Sequence, residues 1–137
     1  MTCPIRIQSI DHVVLRVSDL DGMLAFYCDV LGCRVERRED DLGLVQLRAG
    51  DALIDLVPVS GKLGKAGGAA PGPEGRNMDH LCLRIADIGP ARLAAWLREN
   101  GIDPGEPAMR YGAQGKGPSI YVADPEGNVV ELKPPIG

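Results

Sequence analysis

The chain contains two histidines, His12 and His80, and each stands at the same place in a repeated pattern. Ile-Asp-His-Val-Val-Leu-Arg-Val at 10–17 is written again as Met-Asp-His-Leu-Cys-Leu-Arg-Ile at 78–85. One imidazole in each of two matching strands is the start of a metal site. Two carboxylates extend it: Asp55, between Ile54 and Leu56, and Glu131, between Val130 and Leu132. A carboxylate inside an apolar strand run is costly to bury unless it is paired or coordinated. The side-chain period of two puts each carboxylate on the face opposite its apolar neighbours. Imidazole plus carboxylate suits one divalent metal ion: zinc, nickel, cobalt, manganese or ferrous iron, Fe(II). His12, His80 and Glu131 make an open triad of two histidines and one carboxylate. Asp55, one methylene shorter than glutamate, is the fourth candidate and reaches a metal directly or through water. Taken singly, each residue has a plainer reading, as a structural strand histidine or a surface charge. Their correlation across the repeat favours the metal.

The elements that must position these residues follow from the local pattern. Residues 10–17 alternate as a strand, with Val13, Leu15 and Val17 on one face and His12, Val14 and Arg16 on the other. Ser18 or Asp19 offers a helix N-cap, Leu20, Met23, Leu24, Tyr27 and Leu31 follow at helical spacing, and Gly32 ends the helix. Strands are expected around 33–38, 43–48 and 52–58, with turns at Asp40-Asp41 and Ala49-Gly50-Asp51. The second half repeats this order. Leu81, Leu83 and Ile85 oppose His80, Cys82 and Arg84 in a strand; Asp87 is a candidate N-cap, and Pro90 fits the first turn. Leu93, Trp96, Leu97 and Asn100 continue the helix to Gly101. A weak strand near 106–109 precedes clearer ones at Ser119–Ala123 and Asn128–Lys133, joined by the turn Asp124-Pro125-Glu126-Gly127. The expected fold is α+β: two tandem βαβββ modules, about 8–60 and 76–135, forming a curved mixed-sheet metal cup within one domain. Residues 60–77, rich in glycine and proline, read as a flexible linker or loop between them, not a core element. The stretch Gly112–Pro118 only superficially resembles a phosphate-binding loop, since it opens no helix and lacks a final Lys-Ser/Thr.

Composition excludes several classes. With 45% hydrophobic and 25% charged residues, the 137-residue chain is an ordinary globular one that can bury a core without disulfides. A net charge of −4 and the lack of a basic stripe argue against nucleic acid. No apolar run suggests a membrane span, and the N-terminal segment lacks a signal-peptide core, so a cytoplasmic location is expected. Cys3, Cys28, Cys33 and Cys82 form no Cys-x-x-Cys pair and read as reduced, inert thiols.

The sequence also resembles the vicinal oxygen chelate superfamily of glyoxalase I, extradiol dioxygenases, fosfomycin-resistance enzymes and bleomycin-resistance proteins. The resemblance is carried by Ile10-Asp11-His12, by Phe26 to Gly32, by Met78-Asp79-His80, and by Asp124-Pro125-Glu126-Gly127-Asn128 through Glu131. It implies paired βαβββ modules around a metal, with His12, His80 and Glu131 at ligand positions and Asp55 where glyoxalase I often has glutamate. It implies Lewis-acid chemistry on neighbouring oxygens of a small-molecule substrate, with Glu131 as the proton-transferring carboxylate of a lactoylglutathione lyase-like isomerisation. Arg16 and Arg84, on the histidine faces, are candidates for an anionic substrate group. A ring-cleaving dioxygenase is the alternative enzyme; it lacks its usual extra histidine here. Val14 stands where fosfomycin transferases commonly carry threonine. A metal-free drug-binding protein is the third reading, and the retained ligand set argues against it. A homodimer is expected, with modules pairing within one chain or swapping between two.

Overall fold

The computed structural model describes residues 2–137. Among the described residues, eight strands, two α-helices and one π-helical segment follow one another in two matching halves. The first holds β1 (His12–Val17), α1 (Leu20–Leu24), β2 (Arg34–Glu39), β3 (Leu44–Ala49) and β4 (Ala52–Pro58). The second holds β5 (Leu81–Arg84), α2 (Pro90–Glu99), β6 (Ala108–Gly112), β7 (Gly115–Ala123) and β8 (Val129–Lys133). Each half builds one four-stranded mixed sheet, ordered β1-β4-β3-β2 and β5-β8-β7-β6. The first strand of each half lies parallel to the last, and this pairing sets the site: Val14 stands beside Asp55, and Cys82 beside Glu131. The fold is therefore α+β, with the tandem βαβββ order expected from the repeat. Among the described residues no helix is long and apolar enough to cross a membrane.

Local chemistry explains most element ends. Asp19 caps α1 by accepting the Gly22 amide at 3.0 Å. The helix then widens into a π-helical segment over Ala25–Val30, which buries the consecutive aromatics Phe26 and Tyr27. The helical spacing predicted one continuous α-helix there. Asp87 does not cap α2 as expected. Gly89 holds the cap position, Pro90 opens the helix, and the Asp87 carboxylate accepts the Gly89 amide. Proline lacks an N–H and presets its φ, so the helix starts at Pro90 and leaves Asp87 two residues ahead of the cap. The glycine-rich stretch at 112–118 is a hairpin: Gly112 pairs with Gly115, and β7 begins there. Residues 60–77 form a loop of turns and bends, and its Gly64, Gly68 and Ala69 carbonyls accept from Arg16.

A single apolar cluster joins the halves. Leu15, Val17, Leu47, Ile54 and Leu56 of the first sheet meet Ile120, Val122, Val130 and Leu132 of the second, with Met23, Phe26, Tyr27 and Leu97 from the helices. The polar side of that junction is the turn after β7. Buried Asp124 accepts the Tyr27 hydroxyl at 2.7 Å and gathers both the amide and the side chain of Asn128. Burial, then the Asp124 charge, hold the Tyr27 phenol neutral well above its usual range. Glu126 accepts the backbone amides of Ser18 and Asp19, where β1 passes into α1. The Asp-Pro-Glu-Gly-Asn turn thus fastens the second half to the strand end and helix start of the first.

Candidate metal centre

Because apolar residues of β1, β4, β5 and β8 face the shared core, the histidines and carboxylates turn to the other faces. His12 Nε2 lies 3.9 Å from Asp55 Oδ2, and His80 Nε2 lies 3.1 Å from Glu131 Oε1. Both carboxylates are buried, at 4% and 3% exposure, while the imidazoles stay partly open. In each half the residue before the histidine turns back on it. Asp11 lies 2.7 Å from His12 Nδ1, and Asp79 lies 2.6 Å from His80 Nδ1. An ionised carboxylate only accepts, so Nδ1 carries the proton, and Nε2 is the nitrogen each ring would offer to a metal. The Asp11 hydrogen bond, followed by the Asp55 charge, raises the His12 pKa. The bond to His80 lowers that of Asp79. Asp11 and Asp79 were visible in the sequence as repeated letters, but nothing there marked them as imidazole partners.

The two carboxylates differ in their company. Glu131 Oε2 accepts the Ser119 hydroxyl at 2.7 Å, and its Oε1 faces His80 Nε2 at 3.1 Å. Asp55 Oδ2 accepts the Gln46 amide at 3.2 Å, while buried Oδ1 has no hydrogen-bond partner among the described residues. A buried oxygen left bare costs on the order of 1–3 kcal/mol. That orphan, with imidazole nitrogens free at Nε2, is what a divalent cation would satisfy, so the donor chemistry fits. The four residues do not converge within one chain. Among the described residues no three of His, Cys, Asp and Glu form a metal-sized group. One chain holds two half-sites, His12–Asp55 and His80–Glu131.

Arg16 and Arg84 sit on the expected faces, with their donors turned to backbone and loop. Arg16 donates to the carbonyls of Gly64, Gly68 and Ala69, at 2.9, 2.7 and 3.0 Å. Arg84 donates to the Gln114 side chain and to the Pro134 carbonyl. A substrate anion would compete with those acceptors. Cys82 lies beside Glu131, and burial followed by the carboxylate's charge raises its thiol pKa, as befits an inert group. A cavity of about 360 Å³ lies on the opposite, apolar face of the second sheet, under α2, lined by Ile85, Leu93, Ile120 and Leu132. It does not open on the histidines.

The chain is similar to known proteins in sequence and in fold. Residues 9–132 match the family described as the Glyoxalase/Bleomycin resistance protein/Dioxygenase superfamily. Virulence protein STM3117 of Salmonella typhimurium is 30% identical over 132 residues, covering 92% of this chain and 83% of that protein. Its crystal structure superposes with a TM-score of 0.77 over 96% of this chain and 100% of that one. The mitochondrial methylmalonyl-CoA epimerase of Homo sapiens is 27% identical over 130 residues, or 90% of this chain and 72% of that protein. A probable lactoylglutathione lyase of Synechocystis is 28% identical over 131 residues, or 88% and 91%. With its fold, its repeated histidine strands and a family match across nearly its whole length, the chain belongs to the glyoxalase/bleomycin resistance protein/dioxygenase superfamily.

Proposed function

We propose that this chain is a divalent-metal-dependent enzyme of the glyoxalase type. It acts on a small substrate with two neighbouring oxygens and moves a proton between adjacent carbons, as in a lactoylglutathione lyase-like isomerisation. The observation that carries this reading is the pair of Asp–His–carboxylate sets, one of them with a buried oxygen that lacks a donor. Relatives named as a lyase and an epimerase support an enzyme over a drug-binding protein. Two copies supply one site in this reading, His12 and Asp55 from one and His80 and Glu131 from the other. A divalent ion held by these four would act as a Lewis acid toward the substrate's oxygens.

The residues divide the remaining work. Asp11 and Asp79 hold the rings with Nε2 outward. Glu131, the base expected from the resemblance, has one oxygen held by Ser119 and the other facing His80 Nε2, and serves here as a fixed ligand. Asp55, whose Oδ1 no donor holds in place, would be the looser ligand of the four and takes the proton-transfer role. The test is chelator stripping, reloading with nickel or cobalt, and assay on the hemithioacetal of methylglyoxal and glutathione. Glu131→Gln should weaken metal binding by about 100-fold. Asp55→Asn should keep the metal and lose turnover by about 100-fold or more. A protein whose metal binding ignores His12→Ala and His80→Ala would sink the proposal. Oxygen uptake with catechols and ferrous iron, without isomerisation, would replace it by the ring-cleaving alternative.

A further inference from the structure

Glu131 is held by a chain of side chains that has no counterpart in the first half. Ser119 is 2% exposed, and its hydroxyl donates to Glu131 Oε2 at 2.7 Å. Arg110 Nη1 donates to the Ser119 carbonyl at 2.6 Å and to its hydroxyl at 3.2 Å. A hydroxyl has one proton, so one that accepts from a guanidinium on one side donates on the other, and the direction runs Arg110 to Ser119 to Glu131. The cation at its head strengthens the carboxylate bond at its foot. Arg110 is itself fixed twice: its guanidinium lies 4.0 Å from the Tyr121 ring, and its carbonyl accepts buried Lys133 Nζ at 2.7 Å. Tyr121 in turn packs edge-on to His80 at 5.5 Å. In the first half, Gln46 stands directly opposite Asp55, as Tyr121 stands opposite Glu131. Leu44 occupies the place of Ser119, two residues earlier in its strand.

We propose that Ser119 and Arg110 are positioning residues that lock the Glu131 carboxylate against His80, making the second half-site the preformed one. The proposal rests on the metal reading for its purpose and on this hydrogen-bond chain for its geometry. It is tested with Ser119→Ala, Ser119→Thr and Arg110→Met in the full-length protein. One readout is nickel affinity by competition with a coloured chelator, and the other is the Glu131 position in metal-free crystals. Ser119→Ala should lose roughly 10–100-fold in affinity, and Ser119→Thr, which keeps the hydroxyl, should recover most of it. In metal-free Ser119→Ala crystals Glu131 should leave its position beside His80. If Ser119→Ala fails to fold, Arg110→Met, at a partly exposed position, gives the same two readouts. An unmoved Glu131 overturns the proposal, whatever the affinity does, and so does a displaced Glu131 with affinity within about twofold of wild type. If the wild type binds no nickel, the metal reading fails, and the clamp stands or falls on the Glu131 position alone.

Discussion

His12 and His80 are set by the residue before them as much as by any ligand they hold. Each Asp–His contact fixes which nitrogen keeps its proton, and with it which nitrogen can bind. Asp79→Asn and Asp11→Asn should therefore each lower nickel affinity, by roughly 10-fold, without altering the ligand set. The pH dependence of the first half follows from His12. The Asp11 bond, then the Asp55 charge, raises the His12 pKa above 6.5, so metal binding through His12 is gained as pH rises through that higher value. Asp11→Asn should shift the midpoint of metal binding to lower pH, read by chelator competition between pH 5.5 and 8.5. In the metal-free protein the sign is the reverse. A raised histidine pKa stabilises the fold below 6.5, and that increment fades as pH climbs through the folded value. The histidines were legible in the sequence because the repeat wrote them twice, and the carboxylates because apolar residues flank them. Gln46 and Ser119 were not, because they reach their carboxylates from non-equivalent positions, one directly opposite and one two residues off. Strand alternation put Arg16 on the correct face, but it carries no information on carbonyls supplied about fifty residues later.

At the scale of elements, the repeated βαβββ order was legible, because hydrophobic period and turn residues agree in both halves. Less so was what the Asp-Pro-Glu-Gly-Asn turn does, since a turn signal says nothing of a partner on a distant helix. Tyr27→Phe removes one of the donors on Asp124 and leaves its Asn128 and Glu126 bonds, so it should cost about 1–1.5 kcal/mol by urea unfolding. Asp124→Ala strands all of those donors, buried Tyr27 among them, and should cost about 3 kcal/mol or more by the same measurement. Equal losses in the two variants would mean that Tyr27, not the turn, fastens the halves. The linker makes a comparable point. Gly64 is buried, and a Cβ there would lie 1.8 Å from the Pro58 carbonyl oxygen, which is backbone and cannot rotate away. Gly64→Ala should cost about 3 kcal/mol, as an overpacked site does. It should also free the carbonyls that hold Arg16, seen as new protease cleavage within 60–70. A silent Gly64→Ala would return the segment to the flexible linker its composition suggests.

For the whole molecule, the issue is that one chain carries two half-sites and its core keeps them on separate sheets. The strands that start at or beside the histidines, β1 and β5, are both sheet edges, with no further strand on their outer sides among the described residues. Exposed edges are where a second copy can join, and a two-fold axis would set the β1 end of one copy beside the β5 end of the other. Mixing two defective variants decides between shared and private sites. Take His12→Ala and His80→Ala, each unable to hold metal, and let them exchange subunits. In a mixed dimer with shared sites, one site joins the two damaged halves and the other joins the two intact ones. Random exchange makes about half of the dimers mixed, so about a quarter of all sites should regain wild-type nickel affinity and turnover. Private sites give no recovery at any ratio, since every chain carries its own lesion. Adding Ser119→Ala sharpens the outcome. On the His80→Ala chain it lies in the damaged site of the mixed dimer, and recovery should be unchanged. On the His12→Ala chain it lies in the restored site, and the regained affinity should fall by roughly 10–100-fold.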